Sequence, residues 1–203
     1  MNVRDAFFYR VGSAPFRQAL DRALRVLKGG GLVIFPTETV YGLACDPKKR
    51  GACRKILRSK GRSRQKRLTL QVDTCEKALK LVRPDPRFER LAKFFWPGPL
   101  TVVAKARRGN QKVGVRIPRH PVALKVLKAY GSCLAVTSAN LSGGPPLSKR
   151  EDLLRVFGSK VGVIFWEPQR KKEASTVVEV TGKTPVLLRK GPISMEKILR
   201  VAS

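Results

Sequence analysis

Apolar residues recur along this chain with helical and strand periods, and the period changes at glycines and prolines. Phe16, Leu20, Ala23, Leu24 and Leu27 share one face of a helix over residues 16–28, which Gly29 to Gly31 end. Before it, residues 1–15 read as polar and irregular. Residues 32–35 are all apolar, a buried strand that Pro36 stops because proline has no N–H for a ladder. A helix is expected over 51–58, a basic loop over 60–67 and a strand over 68–72. Thr74 is placed to cap a helix through residue 82. Pro84 and Pro86 break the chain before a short helix at 88–95. Strands follow at 100–104 and 113–117, a helix at 121–129 and a strand at 134–136. Ser148 to Glu151 has the form of a capping box opening a helix to residue 157. Strands at 161–165, 176–180 and 186–188 precede a last helix, capped by Ser194. Strands and helices alternate, with several strands in direct succession. That order predicts a mixed α/β fold on a twisted, partly antiparallel sheet. With no repeat and no break in composition, residues 1–203 are expected to form one domain.

Composition narrows the class. At 203 residues and 42% hydrophobic content, the chain can bury a real core and is no disordered basic tail. No apolar run has the length of a membrane span. Arg4, Asp5 and Arg10 are out of place in a signal peptide. The cysteines at 45, 53, 75 and 133 include no Cys-x-x-Cys pair, and His120 is the sole histidine. A metal site is therefore not expected, and a reducing cytoplasm is the expected compartment. Lysine and arginine number 43 against 14 aspartates and glutamates, a net charge of +29. Such a field recruits polyanions, whether RNA, DNA, an anionic membrane face or nucleotides; nucleic-acid contact, with the usual salt dependence, is the expectation. A solvated basic surface is the plainer alternative.

Several segments carry polar groups where ligands bind. Thr37, Thr39 and Tyr41 surround Glu38 just past a buried strand, the place where open α/β sheets hold ligands. Lys60, Arg62 and Lys66 lie in the basic loop, able to surround a triphosphate or simply to face water. Arg116 sits on a strand among apolar residues and needs an anionic partner, either a structural carboxylate or a substrate one. Residues 137–146 leave a strand into a hydroxyl and glycine loop with Ser138, Asn140 and Ser142, suited to an anion or to a tight turn. Ser148 stands at a helix N-terminus, which attracts phosphate. Ser175 enters one strand, and Arg189 ends another.

Phe-Pro-Thr-Glu-Thr-Val-Tyr-Gly-Leu at residues 35–43 resembles the opening signature of the YrdC-like threonylcarbamoyl-adenylate synthases, which are tRNA-modification enzymes. Phe-Trp-Pro-Gly-Pro-Leu-Thr at 95–101, Val-Arg-Ile-Pro at 115–118, Thr-Ser-Ala-Asn-Leu-Ser-Gly at 137–143, Ser-Thr-Val-Val at 175–178 and Leu-Arg-Lys-Gly at 188–191 resemble further signatures in the same order. The resemblance spans about residues 16–199. It implies a YrdC-like twisted open mixed sheet with flanking helices and a concave basic surface. It implies a nucleotidyltransferase, an L-threonylcarbamoyladenylate synthase that condenses L-threonine, bicarbonate and ATP and releases pyrophosphate. The product would feed N6-threonylcarbamoyladenosine formation on tRNA through a downstream transferase. By the same resemblance, threonine lies against Thr39, Gln71, Arg116, Ser138 and Ser175. ATP lies against Lys60, Arg62, Lys66, Asn140, Ser148 and Arg189, with Mg2+ carried in on the nucleotide. Lys60, Arg62 and Lys66 carry the catalytic charge. The chain departs from the pattern at Ser63 and Arg67, where relatives commonly have proline. Gln71 replaces a frequent histidine, Cys133 a proline and Glu179 an aspartate.

A pocket of cations and hydroxyls with few carboxylates and no histidine does not suit side-chain general base catalysis. It suits a reaction whose difficulty is negative charge on phosphate. The rival reading is an RNA-binding module without nucleotide turnover. Aromatic content of 7% gives it few platforms on which to stack bases.

Overall fold

The computed structural model describes residues 6–13, 15–61, 68–168 and 173–203. The first strand, β1 (Phe7–Arg10), lies in the stretch expected to be irregular. It pairs in parallel with β8 (Val163–Trp166) along four residues, Phe7 opposite Val163. Four residues are too few for an alternation to stand out, and the long-range partner decides the strand. Helix α1 (Phe16–Lys28) and strand β2 (Val33–Phe35) follow as their spacing predicts. After the hydroxyl run the chain returns as β3 (Gly42–Cys45), antiparallel to β2.

Helix α2 (Ala52–Ser59) leads to strand β4 (Thr69–Gln71). Thr74 caps α3 (Cys75–Leu79), which is shorter than its periodicity suggested; Val82 instead bridges to Ala106. Pro86 opens rather than precedes α4 (Pro86–Phe95): its missing N–H falls among the unpaired amides of the first turn. Strands β5 (Leu100–Lys105) and β6 (Lys112–Arg116), helix α5 (Pro121–Tyr130) and strand β7 (Leu134–Ser138) come next. Helix α6 (Arg150–Phe157) begins after Lys149, with no side-chain cap. The capping box expected at Ser148 is therefore not formed. Strands β9 (Thr176–Glu179) and β10 (Val186–Arg189) and the Ser194-capped α7 (Met195–Ala202) end the chain.

Among the described residues all ten strands form one sheet, ordered β1-β8-β2-β3-β7-β4-β6-β5-β9-β10. Alternation along each strand sorts side chains onto two faces. On one face, Val33, Phe35, Leu134, Val136 and Phe165 pack with the apolar stripes of α1 and α5. The opposite face carries two clusters. Leu43, Cys45 and Ala135 pack with Ile56 of α2 and Phe157 of α6, while Val102, Val115 and Val178 pack with Phe88 of α4 and Ile198 of α7. Past α1 and α5, the first face continues over β4, β6, β5 and β9. Thr69, Gln71, Arg116, Thr101 and Ser175 line a cavity there.

Candidate functional site

Strand register builds the floor of this cavity. Ser138 pairs with Gly42, Val136 with Thr69, and Gln71 with Arg116, so these side chains rise from adjacent strands on one face. Gly42 has to be small: a Cβ there would sit 2.9 Å from Val136 Cγ1. The hollow measures about 460 Å³, walled by the hydroxyl run at 37–42 on one side and by Ser175, Leu188 and Arg189 on another. Tyr41 anchors the hydroxyl run to the backbone just past β8. Its hydroxyl donates to the Glu167 carbonyl at 2.6 Å and accepts the Glu167 amide at 3.1 Å. Burial pushes the Tyr41 phenol well above its ordinary range, so it stays protonated.

Arg116 is the charged group of the floor and is 5% exposed. Its Nε donates to the Gly98 carbonyl at 3.1 Å and its Nη2 to Thr39 Oγ1 at 2.9 Å. Glu38 Oε1 lies 2.8 Å from Nη2, yet neither Glu38 oxygen has an aligned hydrogen-bond donor among the described residues. The two form a close ion pair. Burial pulls the Arg116 guanidinium below its ordinary value, and the Glu38 carboxylate pushes back. The anionic partner that the sequence required is thus partly a structural carboxylate. Gln71 is 4% exposed, and its Oε1 has no donor among the described residues.

The hydroxyls are linked in pairs. Thr37 and Thr39 are 2.9 Å apart, and Thr37 donates to the Val40 carbonyl at 2.6 Å. Thr101 and Ser175 are also 2.9 Å apart. Arg189 donates from Nε to the Ser175 carbonyl and from Nη2 to Ser175 Oγ, both at 2.9 Å. All five residues predicted for threonine, and Arg189 from the nucleotide set, line the cavity.

Lys60 is placed otherwise. It is 1% exposed, and its ammonium donates to the Ser138 carbonyl and, at 2.8 Å, to Asn140 Oδ1. Asn140 also accepts from Ser138 Oγ at 2.7 Å and donates to the Leu141 and Gly144 carbonyls. Lys60, Asn140 and Ser148 are not on the cavity wall; the first two brace the strand end and loop that present Ser138. Arg62 and Lys66 lie outside the described residues. Thr137, from the hydroxyl segment, also lines the cavity, with Thr69 and Thr101, which the sequence did not single out. Thr101 was accessible in principle, because it alternates with buried Leu100 and Val102.

An open, mixed α/β sheet with a hydroxyl-lined hollow around one buried guanidinium defines a class of small-molecule site for an anionic ligand. The family model Sua5_yciO_yrdC, described as telomere recombination, matches residues 25–191, and the chain belongs to that family. It is 34% identical over 190 residues to the threonylcarbamoyl-AMP synthase of Bacillus subtilis, covering 88% of this chain and 55% of that protein. It is 34% identical over 184 residues to the enzyme of the same name from Thiobacillus denitrificans, covering 85% and 98%. The solved structure of P. abyssi Sua5 complexed with L-threonine superposes with a TM-score of 0.86 at 32% identity, covering 97% of this chain and 60% of that one. The chain therefore spans little more than half of some relatives and nearly the whole of another. YciO of E. coli shares the fold, with a TM-score of 0.85 at 24% identity.

Proposed function

We propose that this chain is an L-threonylcarbamoyladenylate synthase. It joins L-threonine, bicarbonate and ATP into threonylcarbamoyl-AMP and pyrophosphate for N6-threonylcarbamoyladenosine formation on tRNA, which makes it a nucleotidyltransferase. The observation that carries the reading is Arg116, a buried guanidinium in a hydroxyl-lined cavity, in a chain so similar to a protein solved with L-threonine. Arg116 receives the threonine carboxylate, with Thr39, Ser138 and Ser175 as hydroxyl partners and Gln71 Oε1 as an acceptor.

ATP lies toward Arg189, with Mg2+ arriving on the phosphates. Arg62 and Lys66 supply charge to the triphosphate, and Ser148 adds a hydroxyl. Lys60 and Asn140 act on the nucleotide side through the Ser138 strand end that they hold. The carbamate formed from threonine and bicarbonate attacks the α-phosphate. Catalysis is positioning plus stabilisation of spreading phosphate charge. The product passes to a downstream tRNA threonylcarbamoyltransferase in the cytoplasm. Residues 1–203 act as one domain.

Pyrophosphate release tests this directly. The expected result is turnover that needs threonine, bicarbonate and ATP together. Turnover without threonine overturns the reading. No turnover, together with tight RNA binding and a steep salt slope, favours the RNA-binding module.

A further inference from the structure

Glu38 is the group the scheme above leaves without a task. Its side chain is 17% exposed, and both carboxylate oxygens lack an aligned donor among the described residues. A carboxylate with buried oxygens and a single cation beside it has its desolvation cost only partly offset. Among the described residues, neither oxygen has its hydrogen-bonding capacity filled. Glu38 also stands at a junction. With Thr39, Pro99, Glu173 and Pro192 it lines a second hollow of about 370 Å³, and Thr39 lines both this hollow and the main cavity. At the junction, Arg116 on the main cavity and Glu38 on the second hollow stand 2.8 Å apart. That is the charge pattern of an α-amino acid zwitterion, reversed in sign.

We infer that Glu38 and Arg116 form a paired-charge clamp in which Arg116 takes the carboxylate of the amino-acid substrate and Glu38 takes its ammonium. The inference rests on the synthase reading and adds the group that handles the substrate nitrogen. Glu38 is then also the first acceptor for a proton which that nitrogen must lose. As the N–C bond to bicarbonate forms, the ammonium sheds two protons. One passes to Glu38 and on to solvent. The other leaves with the bicarbonate hydroxyl as water when that C–O bond breaks. Glu38 is the carboxylate that reaches Arg116, and His120 is engaged elsewhere, with Nε2 2.8 Å from Glu167.

The test crosses a variant with a substrate analogue. Binding of L-threonine and of 2,3-dihydroxybutyrate, which has a hydroxyl in place of the amine, is measured by calorimetry on wild type and Glu38→Gln. Wild type is expected to prefer threonine by about tenfold to a hundredfold, the range for hydrogen bonds to charged groups. Glu38→Gln is expected to lose most of that preference while keeping its affinity for the amine-free analogue. In turnover, the threonine KM rises and the ATP KM holds. Equal losses for both ligands overturn the clamp, because Glu38 would then act only by orienting Arg116. A gain in threonine affinity overturns it too, because Glu38 would then be an internal competitor for Arg116. A Glu38→Asp protein that recovers the preference guards against misfolding as the cause. A wild type that neither binds threonine nor releases pyrophosphate sinks the synthase reading itself.

Discussion

Arg116 and Gln71 are neighbours in register, and they should respond to substitution in opposite ways. Removing Arg116 leaves Glu38 buried without a counter-charge, which typically costs about 3–5 kcal/mol. Arg116→Ala is therefore expected to unfold at markedly lower urea concentration and to lose threonine binding. Arg116→Lys keeps the charge but cannot reach Gly98, Thr39 and Glu38 at once, because lysine lacks the planar fork. It should recover part of the stability and little of the affinity. Gln71 carries the reverse trade. Its Oε1 is buried with no donor among the described residues, so Gln71→Leu should leave the melting temperature unchanged or raise it. The threonine KM should rise about tenfold, the worth of one hydrogen bond. A destabilised Gln71→Leu protein with an unchanged KM would remove Gln71 from the site. The chemistry of Arg116 was legible in the sequence, since a strand arginine flanked by Val115 and Ile117 must face something polar; Gln71 was assigned by the family resemblance alone. The partner of Arg116 was not legible: the Thr39 hydroxyl that it binds is 77 positions away, and spacing says nothing at that range.

Elements were readable in proportion to their local signals. Helix α1 matches its predicted span because its stripe covers three turns. Strand β3 was missed because its neighbours β2 and β7 define it. The box at Ser148 failed because the helix starts one residue later than the box requires, which puts Lys149, a side chain with no acceptor, at the cap. Asp85 shows what a working cap does for α4. Its carboxylate accepts the Arg87 amide at 2.9 Å and the Phe88 amide at 3.4 Å. Burial works against the charged form, but the Arg87 side chain and these amides hold the carboxyl below its ordinary range. A depressed folded-state pKa contributes stability above the unfolded value, and that contribution is lost as pH falls through the folded one. Asp85→Ala should therefore cost about 1 kcal/mol at neutral pH. The difference from wild type should shrink as the carboxyl protonates, as denaturant melts at descending pH would record. A difference that stays constant with pH would mean the cap works by shape alone.

At the scale of the whole molecule, charge is in excess. Six ion pairs of lysine or arginine with a carboxylate within 4 Å are formed among the described residues, against a net charge of +29. Most cations therefore repel one another across the surface. Shortening the Debye length from about 30 Å at 0.01 M salt to about 8 Å at 0.15 M should raise the melting temperature. The same change should weaken ATP binding, because it screens the attraction for phosphate. A melting temperature that falls with salt would mean that the exposed pairs outweigh the repulsion.

Most of the helices and strands, their inward faces and the kinds of group available for binding were determined by the sequence, because each depends on neighbours within a few residues; β1 and β3 were not, because distant partners define them. Tertiary structure decided which groups meet: Glu38 with Arg116, Ser175 with Thr101 and Arg189, Lys60 with Ser138 and Asn140. Those meetings depend on which strands pair and in what register. The pairing free energy is spread over the whole sheet, so no short stretch of the chain encodes it.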